Sequence, residues 1–333
     1  MSINYRADNW LLGKERSIKP KQSGGGGGSG RQLRPGTAVD NLKAAALKKP
    51  EVMVKIPRRK STAATGMKAA KGHIDYISRN GTLPLEDEKG NILKGKTAIN
   101  KGVIDQWKAF GIPEKSRYKE TLNVVLSMPP GTPPEAVKDA AREFAKQEFK
   151  DHHYVFVQHL DEAHPHVHLC VTMRDFNGKR MNPRKNDLYE WRLLFAEKLR
   201  EQGVDCAATK RQHRGVTKKG ENTTVRNMKK RGAVPRVTKS QVTDLIEAIK
   251  ANKRPDHPYL KEQLESKKFI VEQYGQLSKE LYMAGLKTEA RAISKLAKEV
   301  SNKPVLTRTQ EQFDTVMQTH HTGPDHDQES LSI

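Results

Sequence analysis

The chain has 333 residues, of which 35% are hydrophobic and 6% aromatic, so it cannot all be packed core and part of it is expected to be flexible. Its 61 Lys and Arg against 39 Asp and Glu give a formal net charge of +22, which calls for a polyanionic partner. With no run of about 18 apolar residues to span a bilayer and no secretory apolar stretch, that partner is expected to be nucleic acid. Cys170 and Cys206 are too few for a disulfide framework or a thiolate zinc site, which fits a reducing cytoplasm.

Residues 1–50 are basic and lack periodicity, and Gly24 to Gly28 followed by Ser29 and Gly30 marks a linker, so a flexible basic arm is expected there. Val52 to Ile56 reads as a strand, followed by the basic cluster Arg58, Arg59 and Lys60 and a helix from about Thr62 to Arg79 that Asn80-Gly81 stops. Thr121 to Met128 is a strand, and its proline-rich exit leads into an amphipathic helix from Pro134 to about Phe149. Tyr154 to His159 and His166 to Thr172 read as a hairpin, and a helix follows over about Asp187 to Gln202. Strands alternating with helices in this order predict an α+β domain with a central antiparallel sheet and packed helices over 51–215. Residues 216–239 read as a basic linker, 240–302 as a helical accessory region and 303–333 as a disordered tail.

Six of the twelve histidines fall between His152 and His168. His166 and His168, two apart on a strand, project to one face, and His159 at the end of the preceding strand can face them. Strand parity alone would group His164 with His166 and His168. Pro165 restricts His164 and places it in the turn, which favours His159, His166 and His168. Three imidazoles around one divalent ion leave room for a substrate oxygen, the mark of a catalytic site as opposed to a closed structural one. Asp161 is either a base or a partner that orients an imidazole.

In the helix ending near Arg79, Met67, Ala70, Ile74 and Ile77 recur at helical spacing and define its buried face. Tyr76 falls well away from that face, on the side shared with Lys68, Gly72 and Arg79. A phenol held there beside cations can meet a phosphate, and a phenolate attacking a phosphodiester gives a covalent phosphotyrosine. Phenols ionise near pH 10, so a cation, a metal or a base such as Asp161 would help to generate the nucleophile. Ser127, Arg79, Arg211 and Arg214 are weaker candidates for DNA contacts.

Three segments together resemble the relaxase or mobilisation nuclease family of conjugative plasmids, nearest its T-DNA border endonuclease branch. Ile74-Asp-Tyr76-Ile-Ser-Arg79-Asn-Gly81 is similar to the family's nucleophile motif, Thr121 to Thr132 to its middle motif, and His159-Leu-Asp161-Glu-Ala-His164-Pro-His166-Val-His168 to its metal motif. The resemblance implies an HUH endonuclease with a five-stranded antiparallel sheet and Mg²⁺ or Mn²⁺ at the histidines, although imidazole-rich sites suit manganese or zinc better than magnesium. It implies nicking of one strand at a transfer origin, a 5′-phosphotyrosyl adduct with a free 3′ hydroxyl, and rejoining after transfer. A relaxosome accessory protein, a type IV coupling protein and a secretion system are the implied partners, and the DNA-bound protein would pass from the cytoplasm to the recipient cell. About fifty residues precede the first strand, where the family motif often lies close to the N-terminus, and there is no helicase phosphate-binding loop. The competing readings are a rolling-circle replication initiator, a nonenzymatic metal-containing DNA-binding protein, and a nuclease that activates water and forms no adduct.

Overall fold

The computed structural model describes residues 2–14, 16–18, 33–57, 65–218 and 220–321. Its backbone contacts divide the chain into two compact units, Met1–Thr209 with Gln276–Leu296, and Lys210–Gly275 with Ala297–Ile333.

In chain order the first unit begins with helices α1 (Ile3–Leu12) and α2 (Thr37–Ala46), strand β1 (Met53–Lys55) and helix α3 (Gly66–Ile77). A short hairpin, β2 (Leu85–Asp87) and β3 (Ile92–Leu93), leads to α4 (Lys96–Ile99), a π-helical turn over Asn100–Ile104 and α5 (Asp105–Ala109). Then come β4 (Thr121–Ser127), α6 (Pro134–Glu148), β5 (Tyr154–His159), β6 (His166–Thr172) and α7 (Lys185–Glu201). The second unit opens with a 3-10 turn at Arg211–Arg214, followed by α8 (Thr223–Lys230) and α9 (Arg236–Lys250). Helices α10 (Leu260–Met283), α11 (Lys287–Asn302) and α12 (Arg308–His321) complete the chain.

Among the described residues six strands form one sheet in the order β1-β4-β6-β5-β2-β3, every neighbouring pair antiparallel. The α+β class therefore holds, with the β2–β3 hairpin as an edge element that takes the sheet beyond the five strands expected. Period-two alternation gives the sheet two different faces. On one, Leu122, Val124 and Leu126 of β4, Val167, Leu169 and Val171 of β6 and Phe156 of β5 are buried. Helix α6 covers this side, with the Arg142 guanidinium 5.9 Å from the Phe156 ring centroid. Phe149 of the α6 terminus meets Trp191 of α7 at 5.4 Å. On the opposite face Val155, Val157 and Cys170 join one core with Met67, Ala70, Ile74 and Ile77 of α3 and with Ile99, Val103, Ile104 and Trp107 of the helical stretch after β3. Burial of Met67, Ile74 and Ile77 contributes about 1.5–3 kcal/mol each, and Ala70 less, so α3 is fastened to the sheet along one stripe.

Two glycines permit this arrangement. A Cβ on Gly66, at φ +56°, would lie 2.4 Å from the Pro113 carbonyl oxygen, so the start of α3 closes on that loop only without a side chain. Gly81, at φ +88°, approaches the Gly95–Lys96 backbone so closely that a Cβ would sit 2.7 Å from Lys96 N. Helix α3 stops at Ile77, two residues short of the expected Arg79, because Arg79 (φ 51°) and Asn80 (φ 57°) both adopt the left-handed conformation before Gly81.

Several expectations for the ends of the chain give way. The first fifty residues contain α1 and α2, which bury Ala7, Trp10, Leu11, Leu12, Val39 and Leu42 and are tied down by ion pairs Arg6–Glu280 and Lys43–Glu289. Asp8 caps α2, accepting from the backbone N–H of Gly36 at 3.0 Å and of Ala38 at 2.6 Å. The flexible-arm reading fails there because two short apolar clusters find partners far along the chain. The Gly24 to Gly30 run and Arg58, Arg59 and Lys60 lie outside the described residues, as does 322–333. The expected linker over 216–239 holds α8 and the first residues of α9, and the expected tail holds α12, whose Phe313 is buried. In the second unit Tyr274 donates to the His213 carbonyl at 2.8 Å, and Lys303 to the Arg214 carbonyl at 2.7 Å.

Candidate active site

The hairpin register assembles the histidines. His159 and His166 are direct cross-strand partners, and Ser127 of β4 and Met53 of β1 continue the same row across the sheet. His168, two residues along β6, projects to the same face, and its partner on β4 is Val125. The ring centroids of His159 and His168 are 4.5 Å apart, and each stands 5.2 Å from that of His166. One potential ligand atom from each of the three falls within 4.8 Å of the others. His164 stays in the turn, stacked at 5.3 Å on His166, and its carbonyl oxygen accepts from His166 Nδ1 at 3.1 Å.

Two of these rings are held in orientation by backbone carbonyls. His159 Nε2 donates to the Ile77 carbonyl at 2.7 Å, and His166 Nδ1 to the His164 carbonyl, so each ring keeps its other nitrogen free of a proton and is held in orientation. Burial, and then the charges of Arg79 and His166, hold the pKa of His159 below the ordinary value despite the Ile77 contact and Asp161. Burial, reinforced by His159, His166, His73 and Arg79, pushes His168 down to about 3. Neutral imidazole is the form a metal requires. The donor set therefore fits a divalent ion, with His159, His166 and His168 as the residues that could hold it.

Helix α3 delivers Tyr76 to this site. Its neighbours Ile74 and Ile77 are fully buried, which fixes the helix face, while Tyr76 is 58% exposed. The Tyr76 ring stands edge-on to His168 with 6.3 Å between centroids, and the Arg79 guanidinium lies 5.5 Å from the Tyr76 centroid. Arg79 also forms an ion pair with Asp161, and its Nη2 is 3.5 Å from His159 Nδ1. Asp161 Oδ1 in turn is 4.0 Å from that nitrogen. Burial would raise the Asp161 pKa, but the Arg79 hydrogen bond and charge outweigh it and hold the carboxyl below its ordinary range.

Seven of the nine residues singled out in the sequence lie in the sheet-bearing unit. Tyr76, Arg79, His159, Asp161, His166 and His168 form one cluster, and Ser127 is the strand partner of His166. Arg211 and Arg214 lie on the 3-10 turn of the second unit. One neighbour has no counterpart in the sequence expectations. His73, three residues before Tyr76 on the same helix, stacks beside it with centroids 6.3 Å apart. The i, i+3 spacing on a helix is the signal that marks it.

Residues 76–204 match the family model described as "Relaxase: MobA/VirD2-like, nuclease domain". The likeness is to the relaxases. Over 171 residues the chain is 28% identical to the T-DNA border endonuclease VirD2 of Agrobacterium fabrum, a match covering 44% of this chain and 37% of that protein. It is 27% identical over 168 residues to the protein of the same name from Rhizobium rhizogenes, covering 43% and 37%. The chain thus spans little more than a third of the length of these relatives. A solved structure titled "Molecular Basis of Vancomycin Resistance Transfer in Staphylococcus aureus" aligns with 49% of this chain and 99% of its own at 16% identity and a TM-score of 0.30. The relaxase-like segment begins at Tyr76 and takes in all three histidines, Asp161, Arg79 and Ser127. No described helix is long and apolar enough to cross a membrane.

Proposed function

We propose that this chain is a DNA relaxase that cuts and rejoins one strand at a plasmid transfer origin by transesterification to Tyr76. The observation that carries this reading is the exposed Tyr76 phenol, borne on a rigidly packed helix and edge-on to His168 of a three-histidine group. Tyr76 Oη, exposed to solvent, attacks the scissile phosphorus and gives up its proton to water. The bond from phosphorus to the 3′ oxygen breaks, and that oxygen leaves as a hydroxyl after taking a proton from solvent. One phosphodiester is exchanged for another of similar energy, so the reverse step reseals the strand.

His159, His166 and His168 would hold a divalent ion, Mg²⁺ or Mn²⁺, whose role is to polarise the phosphate and offset charge developing on its nonbridging oxygens. The Arg79 guanidinium, over the Tyr76 ring, offers a second positive charge to the same phosphate. We take Asp161 as an orienting partner that acts through Arg79, and not as the base, because its carboxylate is engaged in an ion pair with the Arg79 guanidinium. Ser127, in the row of His166, and Arg211 and Arg214 are assigned to DNA contacts. The strong net positive charge suits a backbone-binding protein. The resemblance to VirD2 extends the proposal to an accessory protein, a coupling protein with a type IV secretion system, and delivery of the DNA-bound protein to a recipient cell.

The test is incubation of the full chain with single-stranded transfer-origin DNA and Mn²⁺ or Mg²⁺, followed by a denaturing gel beside Tyr76→Phe. A metal-dependent adduct that survives denaturation and is absent in Tyr76→Phe is the expected result. Cleavage without an adduct would replace this mechanism with hydrolysis by activated water, and binding without cleavage would leave a DNA-binding protein.

A further inference from the structure

Arg79 reaches the histidine site through an unusual piece of backbone. Helix α3 ends at Ile77, and the chain then passes through two left-handed residues that are not glycine, Arg79 at φ 51° and Asn80 at φ 57°. Side chains other than glycine adopt this conformation rarely. The turn is held by Asn80 N–H donating to the Asp75 carbonyl at 2.7 Å and Gly81 N–H to Ser78 Oγ at 3.1 Å. It brings the guanidinium to three groups at once: the Asp161 carboxylate, His159 Nδ1 at 3.5 Å and the Tyr76 ring.

The contact with His159 has a definite sense. Because Nε2 of that ring donates to the Ile77 carbonyl, its lone pair lies on Nδ1, the nitrogen that Arg79 Nη2 approaches as a donor. A metal bound by His159 needs the same lone pair. Two cations brought within a few ångströms of each other in a partly desolvated site repel strongly. The guanidinium and a divalent ion therefore compete for one nitrogen.

We propose that Arg79 is a built-in cation of this site: it holds His159 and Asp161 in position until a divalent ion binds, then gives up His159 Nδ1 and is free to take a phosphate oxygen of the DNA. Arg79 is a positioning residue toward the histidines before the ion binds and a phosphate ligand afterwards, and the inference rests on the metal-assisted reading above. Two consequences follow from the competition. Metal affinity is lower than three imidazoles alone would give, and DNA that engages Arg79 raises it. By linkage, metal raises DNA affinity by the same factor.

The experiment is a titration of the full chain with Mn²⁺, read by the electron paramagnetic resonance of the free ion, with and without a 20-nucleotide single-stranded oligonucleotide. Wild type is compared with Arg79→Gln and with Arg79→Asn, the latter because asparagine tolerates the left-handed conformation well. Circular dichroism checks that each is folded, and His168→Ala reports whether the ion is at this site. The expected result is Mn²⁺ binding about tenfold tighter in both Arg79 variants, worth about 1.4 kcal/mol, with the enhancement by DNA seen in wild type lost. A merely structural Arg79 would move affinity the other way, so unchanged or weaker binding in a folded variant overturns the inference and leaves the metal reading standing. If wild type and variants all fail to bind Mn²⁺, or bind it equally well after His168→Ala, the metal reading itself fails and this one with it.

Discussion

Tyr76 stands edge-on to His168 at 6.3 Å although the two are carried by a helix and a strand 92 positions apart in the chain. The relationship is enforced from beneath. Ile74 and Ile77 of α3 share a core with Val157 of β5 and Cys170 of β6, so the helix cannot rotate without exposing them. The proposed nucleophile and the candidate metal ligand are thus registered by packing and not by a bond between them.

That division of labour makes His168 separable from the fold. His168 is half-buried on the sheet surface, and burial holds its ring neutral. His168→Ala is expected to lower Mn²⁺ affinity at least a hundredfold and to abolish the adduct, while the metal-free thermal midpoint moves by no more than about 3 °C. Calorimetric titration and a melting curve on one sample measure both. A midpoint lowered by 10 °C or more would mean that the ring is structural.

The turn that aims Arg79 depends on Gly81. Gly81→Ala puts a Cβ 2.7 Å from Lys96 N at φ +88°, so backbone strain and overlap add to about 2–4 kcal/mol of destabilisation. Gly90, at φ +83° with nothing near its missing Cβ, carries the strain without the overlap, and Gly90→Ala should cost about 1–2 kcal/mol. Urea unfolding of the two variants tests the difference, and equal losses would show that contact with Gly95–Lys96 is unimportant.

The sequence was most readable where periodicity was local. Strands β5 and β6 run as expected from Tyr154–His159 and His166–Thr172, because β-branched residues and a proline-bearing turn define a hairpin without reference to the rest of the chain. The stripe Met67, Ala70, Ile74, Ile77 gave the buried face of α3, and hence the outward side of Tyr76, for the same reason. Local signals failed where burial is completed from afar. Trp10 and Leu11 look isolated in a basic stretch beside a glycine run, and what covers them comes with the packing of α1 on α2 and α7. The β2–β3 hairpin is too short to show alternation. The backbone that orients the site was equally hidden, since the Ile77 and His164 carbonyls leave no mark in residue types.

The N-terminal helices offer a direct measure of that failure. Leu11 is fully buried, and Leu11→Ala should destabilise the first unit by about 3 kcal/mol through lost burial and the cavity left behind. A flexible arm would lose nothing. Guanidinium unfolding of Leu11→Ala against wild type decides between them, and a shift below about 0.5 kcal/mol would restore the arm.

The second unit contains a titratable group whose effect on stability has a predictable sign. His213 is buried on the 3-10 turn, and burial, with Lys210 and Arg214 adding like charge, pushes its pKa from 6.5 down to about 3. Above pH 6.5 the ring is neutral in both folded and unfolded chains, and stability does not depend on it. Between pH 6.5 and 3 the unfolded chain binds a proton that the folded one refuses, so stability falls as pH falls, by up to about 1.4 kcal/mol per pH unit, and levels off below pH 3. Replacement by a residue that does not titrate removes this slope even if it lowers stability at neutral pH. From pH 7 to 4 the melting point of wild type should therefore fall relative to that of His213→Gln, whichever is higher at pH 7, whereas a constant difference would mean that His213 carries its proton in the folded protein as readily as in the unfolded one.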